Sequence, residues 1–268
     1  MQITRISVLA LLALVGCGES TTPAPAVEAP AAAPEMPQVS MYEQAVASTG
    51  RTDADRERDA GRKPGQVLEF FGIAPGMTVL DMYSGGGYYT EMISTIVGPT
   101  GRVIAHTNSP YAGFVGDEAT ARYADNRLAN VENMLAENNE LSLPADEYDA
   151  IMLVLTYHDI YYVDVANGWE KIDGPKFIAE LKKGLKPGGT LAIVDHSAAA
   201  GSPRETGGSL HRIDPQIVID ELQAEGFVLE AKSDVLRNME DDYSIGMFDP
   251  AVRGKTDRFV FKFRKAGQ

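Results

Sequence analysis

The stretch 79–90, Val79-Leu80-Asp81-Met82-Tyr83-Ser84-Gly85-Gly86-Gly87-Tyr88-Tyr89-Thr90, constrains this chain most. Two apolar residues lead into an acid, then a run of glycines, then a helical pattern. Such a segment is a strand that ends, turns sharply and starts a helix. Glycine reaches positive φ at little cost and lets a bound molecule approach the backbone with no Cβ in the way. The first turn of the new helix presents unpaired N–H groups beside it. An acid at the strand tip can hold a cationic or hydroxyl-bearing group. A dinucleotide fingerprint G-x-G-x-x-G needs its third glycine where Thr90 stands, which disfavours a nicotinamide-dependent oxidoreductase.

The rest of the chain alternates strands and helices. Strands are expected at 77–81, 102–106, 131–135, 148–155, 190–194, 227–234 and 258–265. Ile151 to Leu155 is a continuous apolar run, as in a strand buried on both faces. Phe259, Phe261 and Phe263 alternate with period two. Helices are expected at 64–71, 88–97, 111–129, 175–185 and 214–225, the last with Asp214 as N-cap and Pro215 in the first helical position. Lys186-Pro187-Gly188-Gly189 reads as a turn, and 236–256 as a long loop. Residues 41–60 read as a helix and a charged loop over the domain edge, either as a solvated face or as a lid. Alternation of this kind implies a parallel sheet with right-handed crossovers.

The glycine stretch resembles motif I of the class I S-adenosylmethionine-dependent methyltransferases, D/E-x-G-x-G-x-G, through Asp81, Gly85 and Gly87. Tyr83 stands where that motif has its first glycine. Leu-Lys-Pro-Gly-Gly-Thr-Leu at 185–191 and Gly226-Phe227 resemble later family landmarks. The resemblance spans about 67–265 and implies an α/β, Rossmann-like methyltransferase fold. That fold is a seven-stranded, mostly parallel sheet with helices on both faces and a closing antiparallel pair. It also implies S-adenosyl-L-methionine as cofactor, with Asp81, Tyr83, Gly85, Gly87, Asn108, Glu137 and Asn138 around it. Asn108 departs from the family, which has an acid for the ribose hydroxyls at that tip.

Ligands of open α/β sheets bind at the carboxyl ends of the strands. His106, His158 and His196 fall at strand tips, and His211 in the loop after the fifth strand. The expected catalytic groups are His158 and His196, with Asp159 and Asp195 beside them; histidine titrates near neutrality and serves as a general base. A divalent ion on His158, Asp159, Asp195 and His196 is a second reading, but their spacing is not a metal motif and no ligand set is assigned. Tyr157, Tyr161, Tyr162 and Trp169 are candidates to wall an apolar or aromatic acceptor.

The function expected is methyl transfer to a small molecule. The alternative is a binding or scaffold protein of the cell envelope with the same fold and no catalysis. That alternative arises from the N-terminus. An apolar run at 6–15 is too short to span a bilayer and reads as a signal-peptide core. Leu14-Val15-Gly16-Cys17 resembles the bacterial lipobox, so Cys17, the single cysteine, is the expected lipidation site. The expected organisation is a signal peptide at 1–16, a Pro/Ala-rich tether at 17–40 and a domain at 41–268. A lipid anchor would hold the protein at the membrane of the cell envelope, on the outer membrane facing the periplasm. The formal net charge of -14 argues against nucleic acid as a partner.

Overall fold

The structure, a computed structural model, describes residues 39–267; the expected signal peptide, most of the expected tether and the expected lipidation site Cys17 lie outside the described residues. A seven-stranded sheet has the order β3-β2-β1-β4-β5-β7-β6. Its strands are β1 (Thr78–Met82), β2 (Arg102–Thr107), β3 (Val131–Leu135), β4 (Tyr148–Val154), β5 (Leu185–His196), β6 (Phe227–Ser233) and β7 (Arg258–Lys265). The first five run parallel, and β7 pairs antiparallel with both β5 and β6. This is the Rossmann-like methyltransferase architecture that the sequence implies. The strand order reverses beside β1, so the glycine turn stands at the switch point, where such sheets open a crevice for ligands.

Among the described residues, nine α-helices surround it: α1 (Met41–Val46), α2 (Asp53–Arg62), α3 (Pro64–Phe71), α4 (Tyr88–Val97), α5 (Ser109–Val115), α6 (Glu118–Tyr123), α7 (Gly174–Gly184), α8 (Thr206–Leu210) and α9 (Pro215–Ala224). Local chemistry sets their starts. Ser40 with Glu43, and Thr52 with Asp55, form capping boxes at α1 and α2. Asp214 caps α9 in front of Pro215.

Side-chain alternation along the strands builds two apolar layers. Leu80, Ile151, Leu153 and Ile193 enter one cluster with Phe177, Leu181 and Phe263. Val79, Met152 and Val194 enter the other with Leu68, Phe71 and Ile93. The apolar run of β4 is therefore covered on both faces, which removes the need for polar alternation.

Two local expectations are corrected. The helix expected at 111–129 breaks at Gly116 (φ 67°) into α5, α6 and a short 3-10 turn, because that backbone leaves the helical region. The turn expected at 186–189 lies within β5, which Leu185 joins by pairing with Tyr148 before an irregularity in the register.

Candidate functional site

After β1 the chain needs left-handed backbone three times: Tyr83 (φ 50°), Gly85 (φ 58°) and Gly87 (φ 82°). Tyrosine adopts this conformation at a cost of about 1–2 kcal/mol. Its ring holds it there. Tyr83 is buried, and its hydroxyl donates to Asn138 Oδ1 at 2.7 Å. Its ring packs against His106, Tyr111, Trp169 and Phe177, with centroids 5.2 to 6.2 Å away. Tyr83→Phe keeps this packing and loses one hydrogen bond. We expect it to lower unfolding free energy by about 1 kcal/mol in urea melts. A loss as large as that of Tyr83→Ala would contradict this division between ring and hydroxyl.

Asp81, at the tip of β1, is buried and accepts the Thr90 hydroxyl at 2.7 Å. Burial outweighs the Thr90 hydrogen bonds and pushes its pKa up to about 7. Gly87 caps α4 and faces α6: a Cβ there would lie 2.5 Å from the Tyr123 hydroxyl. Asn108 is fully buried and engaged; it accepts the Tyr111 N–H to cap α5 and donates to Asn138. Glu137 accepts the backbone N–H and hydroxyl of Ser109.

Two cavities open at this end of the sheet. One, of about 570 Å³, lies over the glycine turn and takes in Asp81, Tyr83, Gly85 and His196. The helix α2 closes it with Arg58 and Arg62, so the charged N-terminal segment acts as a cover here. The other, of about 1090 Å³, takes in Glu137, Asn138, His158, Asp159, Trp169 and His211. Tyr111, Phe114, Leu155, Met247 and Phe248 line both and form the wall between them. Tyr83 stands beneath that wall, facing the smaller cavity and bonded to a residue of the larger one.

The structure separates the four expected catalytic groups. Asp195 is completely buried and lines neither cavity; it accepts the His158 N–H, His158 Nδ1 at 2.7 Å and the His196 N–H. His158 and Asp159 face the larger cavity. Burial pulls the His158 pKa down, but the Asp195 and Asp159 carboxylates outweigh it and raise it to about 9. His196 faces the smaller cavity, with Nδ1 on the Thr256 hydroxyl at 2.6 Å. Burial and nearby cations hold its pKa well below the ordinary histidine value, so its ring is neutral. Its Nε2 is buried with no hydrogen-bond partner among the described residues, an orphan that a bound group would satisfy.

Two residues of the site escape a reading of the sequence, and the part played by a third, His211, does too. Arg62 and Arg258 line the smaller cavity, and among the described residues neither has a carboxylate partner. Arg258 arrives from the start of β7, far along the chain, which no local signal indicates. His211, conspicuous only by its type, packs its ring against His158, with centroids 5.3 Å apart. The shortage of histidines is the one clue to it that the sequence offers.

Comparison with known proteins agrees with this fold. The family model of protein-L-isoaspartate(D-aspartate) O-methyltransferases matches residues 33–160. Among curated proteins, the ubiquinone/menaquinone biosynthesis C-methyltransferase UbiE of Ectopseudomonas mendocina is 28% identical over 132 residues, 49% of this chain and 46% of that protein. The UbiE of Saccharophagus degradans is 30% identical over 130 residues, 48% of this chain and 47% of that protein. The chain thus spans about half the length of the curated relatives it matches. A solved S-adenosylmethionine-dependent methyltransferase from Aquifex aeolicus superposes with a TM-score of 0.54 at 24% identity, covering 78% of this chain and 98% of that one. The family model and the curated relatives just named are those of methyltransferases.

Proposed function

We propose that this chain, which carries the class I methyltransferase fold, binds S-adenosylmethionine and methylates a small apolar or aromatic molecule. The observation that carries the reading is the smaller cavity. It holds a buried carboxylate, Asp81, two arginines with no carboxylate partner among the described residues and the glycine turn, beside the switch point of the sheet. Asp81 suits the cofactor's amino group, and Arg62 and Arg258 suit its carboxylate. Gly85 lets the ligand lie against the backbone. The adenosine end then extends past Leu155 and Tyr111 toward Glu137 and Asn138.

The cofactor supplies an electrophilic methyl group on sulfur. The protein's part is to bring the acceptor into line and to keep water away. The larger cavity provides the place for the acceptor, where Tyr162, Trp169 and Phe248 offer flat apolar walls. His196 lines the smaller cavity and not the larger one; as a neutral ring with Nε2 unengaged among the described residues, it is the base for an acceptor atom that reaches past Leu155 to the glycine-turn side. The UbiE relatives are named for methylation in ubiquinone and menaquinone biosynthesis, and an aromatic ring acceptor here is in keeping with that. Attachment to the cell envelope through Cys17 belongs to the same proposal.

A second reading, a binding protein without catalysis, is favoured by one observation. The polar groups around the expected adenosine position, Tyr83, Asn108, Asn138 and Glu137, are bonded to one another and to Ser109. Isothermal titration of the full chain with S-adenosylmethionine and with S-adenosylhomocysteine decides between the two. We expect micromolar dissociation constants for both. Absence of heat at millimolar ligand would leave the scaffold reading standing.

A further inference from the structure

We propose that His158, Asp159 and His211 form a three-ligand site for a divalent transition-metal ion, with Asp195 fixing His158 in its ligating orientation. The site is independent of the methyl-transfer reading. Nε2 of His158, Oδ1 of Asp159 and Nδ1 of His211 converge on one point. His158 Nε2 lies 3.3 Å from Asp159 Oδ1 and 3.3 Å from His211 Nδ1, and the third edge of the triangle is 3.6 Å. Metal–ligand bonds of about 2.1 Å at tetrahedral angles separate donor atoms by about 3.4 Å. The triangle has the size that an ion would impose.

The surroundings supply what a metal site needs beyond its ligands. A ligating histidine commonly donates its other ring nitrogen to a carboxylate, which fixes the tautomer and the ring plane. Asp195 does this for His158 Nδ1 at 2.7 Å, and two backbone N–H groups hold Asp195 itself. In the neutral ring that Asp195 orients this way, Nε2 turns its lone pair to a carboxylate oxygen and another ring nitrogen, and an ion there takes the place of the proton that the carboxylates otherwise hold. Three electron-rich atoms facing one another need positive charge between them. A proton serves one pair, whereas an ion serves all three.

The backbone is built to bring these groups together. His158 and Asp159 lie on the 3-10 turn Tyr157–Tyr161 that follows β4, and His211 ends α8. The two segments touch at Gly207 and Gly208, where a Cβ would come within 2.6 Å of the His158 carbonyl and 2.8 Å of the Tyr161 carbonyl. Glycine at both positions permits this approach. His211 itself takes left-handed backbone (φ 51°), and its ring is held between Tyr162 and Phe248 at 5.0 and 4.9 Å.

Two imidazoles and one carboxylate suit zinc, iron, cobalt or manganese and leave coordination positions free. All three ligands line the larger cavity, so the free positions are within reach of an oxygen-bearing molecule held there. A metal at this place would polarise such an oxygen as a Lewis acid.

The test uses the full chain, stripped with chelator and titrated calorimetrically with Zn²⁺ alone. Co²⁺ substitution, read by visible d–d absorption, reports the ligand set. We expect one ion per chain at micromolar affinity or tighter. Loss of an outer-shell partner already costs about 10–100-fold in metal affinity, so His211→Ala and Asp159→Asn should each weaken binding more than about tenfold. His211 is partly exposed and Asp159→Asn is nearly isosteric, so far-UV circular dichroism should be unchanged in both. No binding by the unsubstituted chain, or undiminished binding in either folded variant, would overturn the site.

Discussion

Arg122→Leu should lower unfolding free energy by about 3–5 kcal/mol at pH 7, the usual consequence of removing one partner from a buried ion network. The Arg122 guanidinium is almost wholly buried. Its Nη1 and Nη2 reach the two oxygens of Asp55 at 2.7 and 3.0 Å, and Nη1 reaches Glu91 at 2.6 Å. Asp55 is fully buried and Glu91 nearly so. The arginine therefore ties α2, α4 and α6 together. Its Nε also donates to the Gly86 carbonyl in the glycine turn. Without it, two carboxylates remain in the interior with only Arg58 and Arg127, both at the surface, to compensate.

The pH dependence follows from the same pair. Burial alone would raise the Asp55 pKa, but the bonds from Arg122 hold it far below the ordinary carboxylate value. A depressed folded-state pKa contributes stability that is present above the unfolded value and is lost as pH falls toward the folded one. In the leucine variant the same carboxylate is raised by burial, takes up a proton on folding and loses its penalty in acid. The gap between the two proteins should thus be widest near pH 7 and shrink by pH 4.5 in urea melts. Arg127→Ala, at the exposed end, should cost no more than about 1 kcal/mol. A loss below about 1 kcal/mol for Arg122→Leu at pH 7 would remove the network from the account of how α2 is held.

This network also marks the limit of what the sequence discloses. The sheet is legible because each strand carries its own signal: an apolar run between turn residues, or the alternation at Phe259, Phe261 and Phe263. The glycine turn is legible for the same reason. The cluster Asp53 to Asp59 reads as a solvated face, yet Asp55 is buried, because its partner Arg122 lies 67 residues away and no local pattern reports it. The site divides along the same line. Residue types at strand tips are visible, but a tip does not say which cavity its side chain enters. Asp195 and His196 are adjacent in sequence, and one is consumed in positioning His158 while the other faces the glycine turn. Tyr83 is conspicuous as a departure from a glycine motif, but its direction is set by Asn138 and Trp169, both distant in sequence.

Asp81→Asn should separate binding from stability. Asp81 has a pKa of about 7 in the folded chain against an ordinary value of 3.8, because burial disfavours its charge. A raised folded-state pKa contributes stability that is complete below the unfolded value and is lost as pH rises through the folded one. The distance between those two values corresponds to about 4 kcal/mol at most, withdrawn between about pH 4 and pH 8. Asparagine carries no charge at any of these pH values and keeps an oxygen for the Thr90 hydroxyl. The variant should melt close to the parent at pH 4 and clearly above it at pH 8. Neighbouring groups leave this window clear: Tyr89 and Tyr123 are held above the ordinary tyrosine value, and His196 stays neutral. Ligand binding should move the opposite way. A cationic amino group beside Asp81 requires the ionised carboxylate, so affinity for S-adenosylmethionine should rise with pH between about 5.5 and 7, by up to about tenfold per pH unit. In the variant it should be weak, by at least about tenfold at pH 8, and flat with pH. A variant that gains equal stability at both pH values would show that Asp81 is not the buried acid described. One that binds the ligand as tightly as the parent would remove Asp81, and with it the glycine-turn cavity, as the place where the cofactor's amino acid end is held.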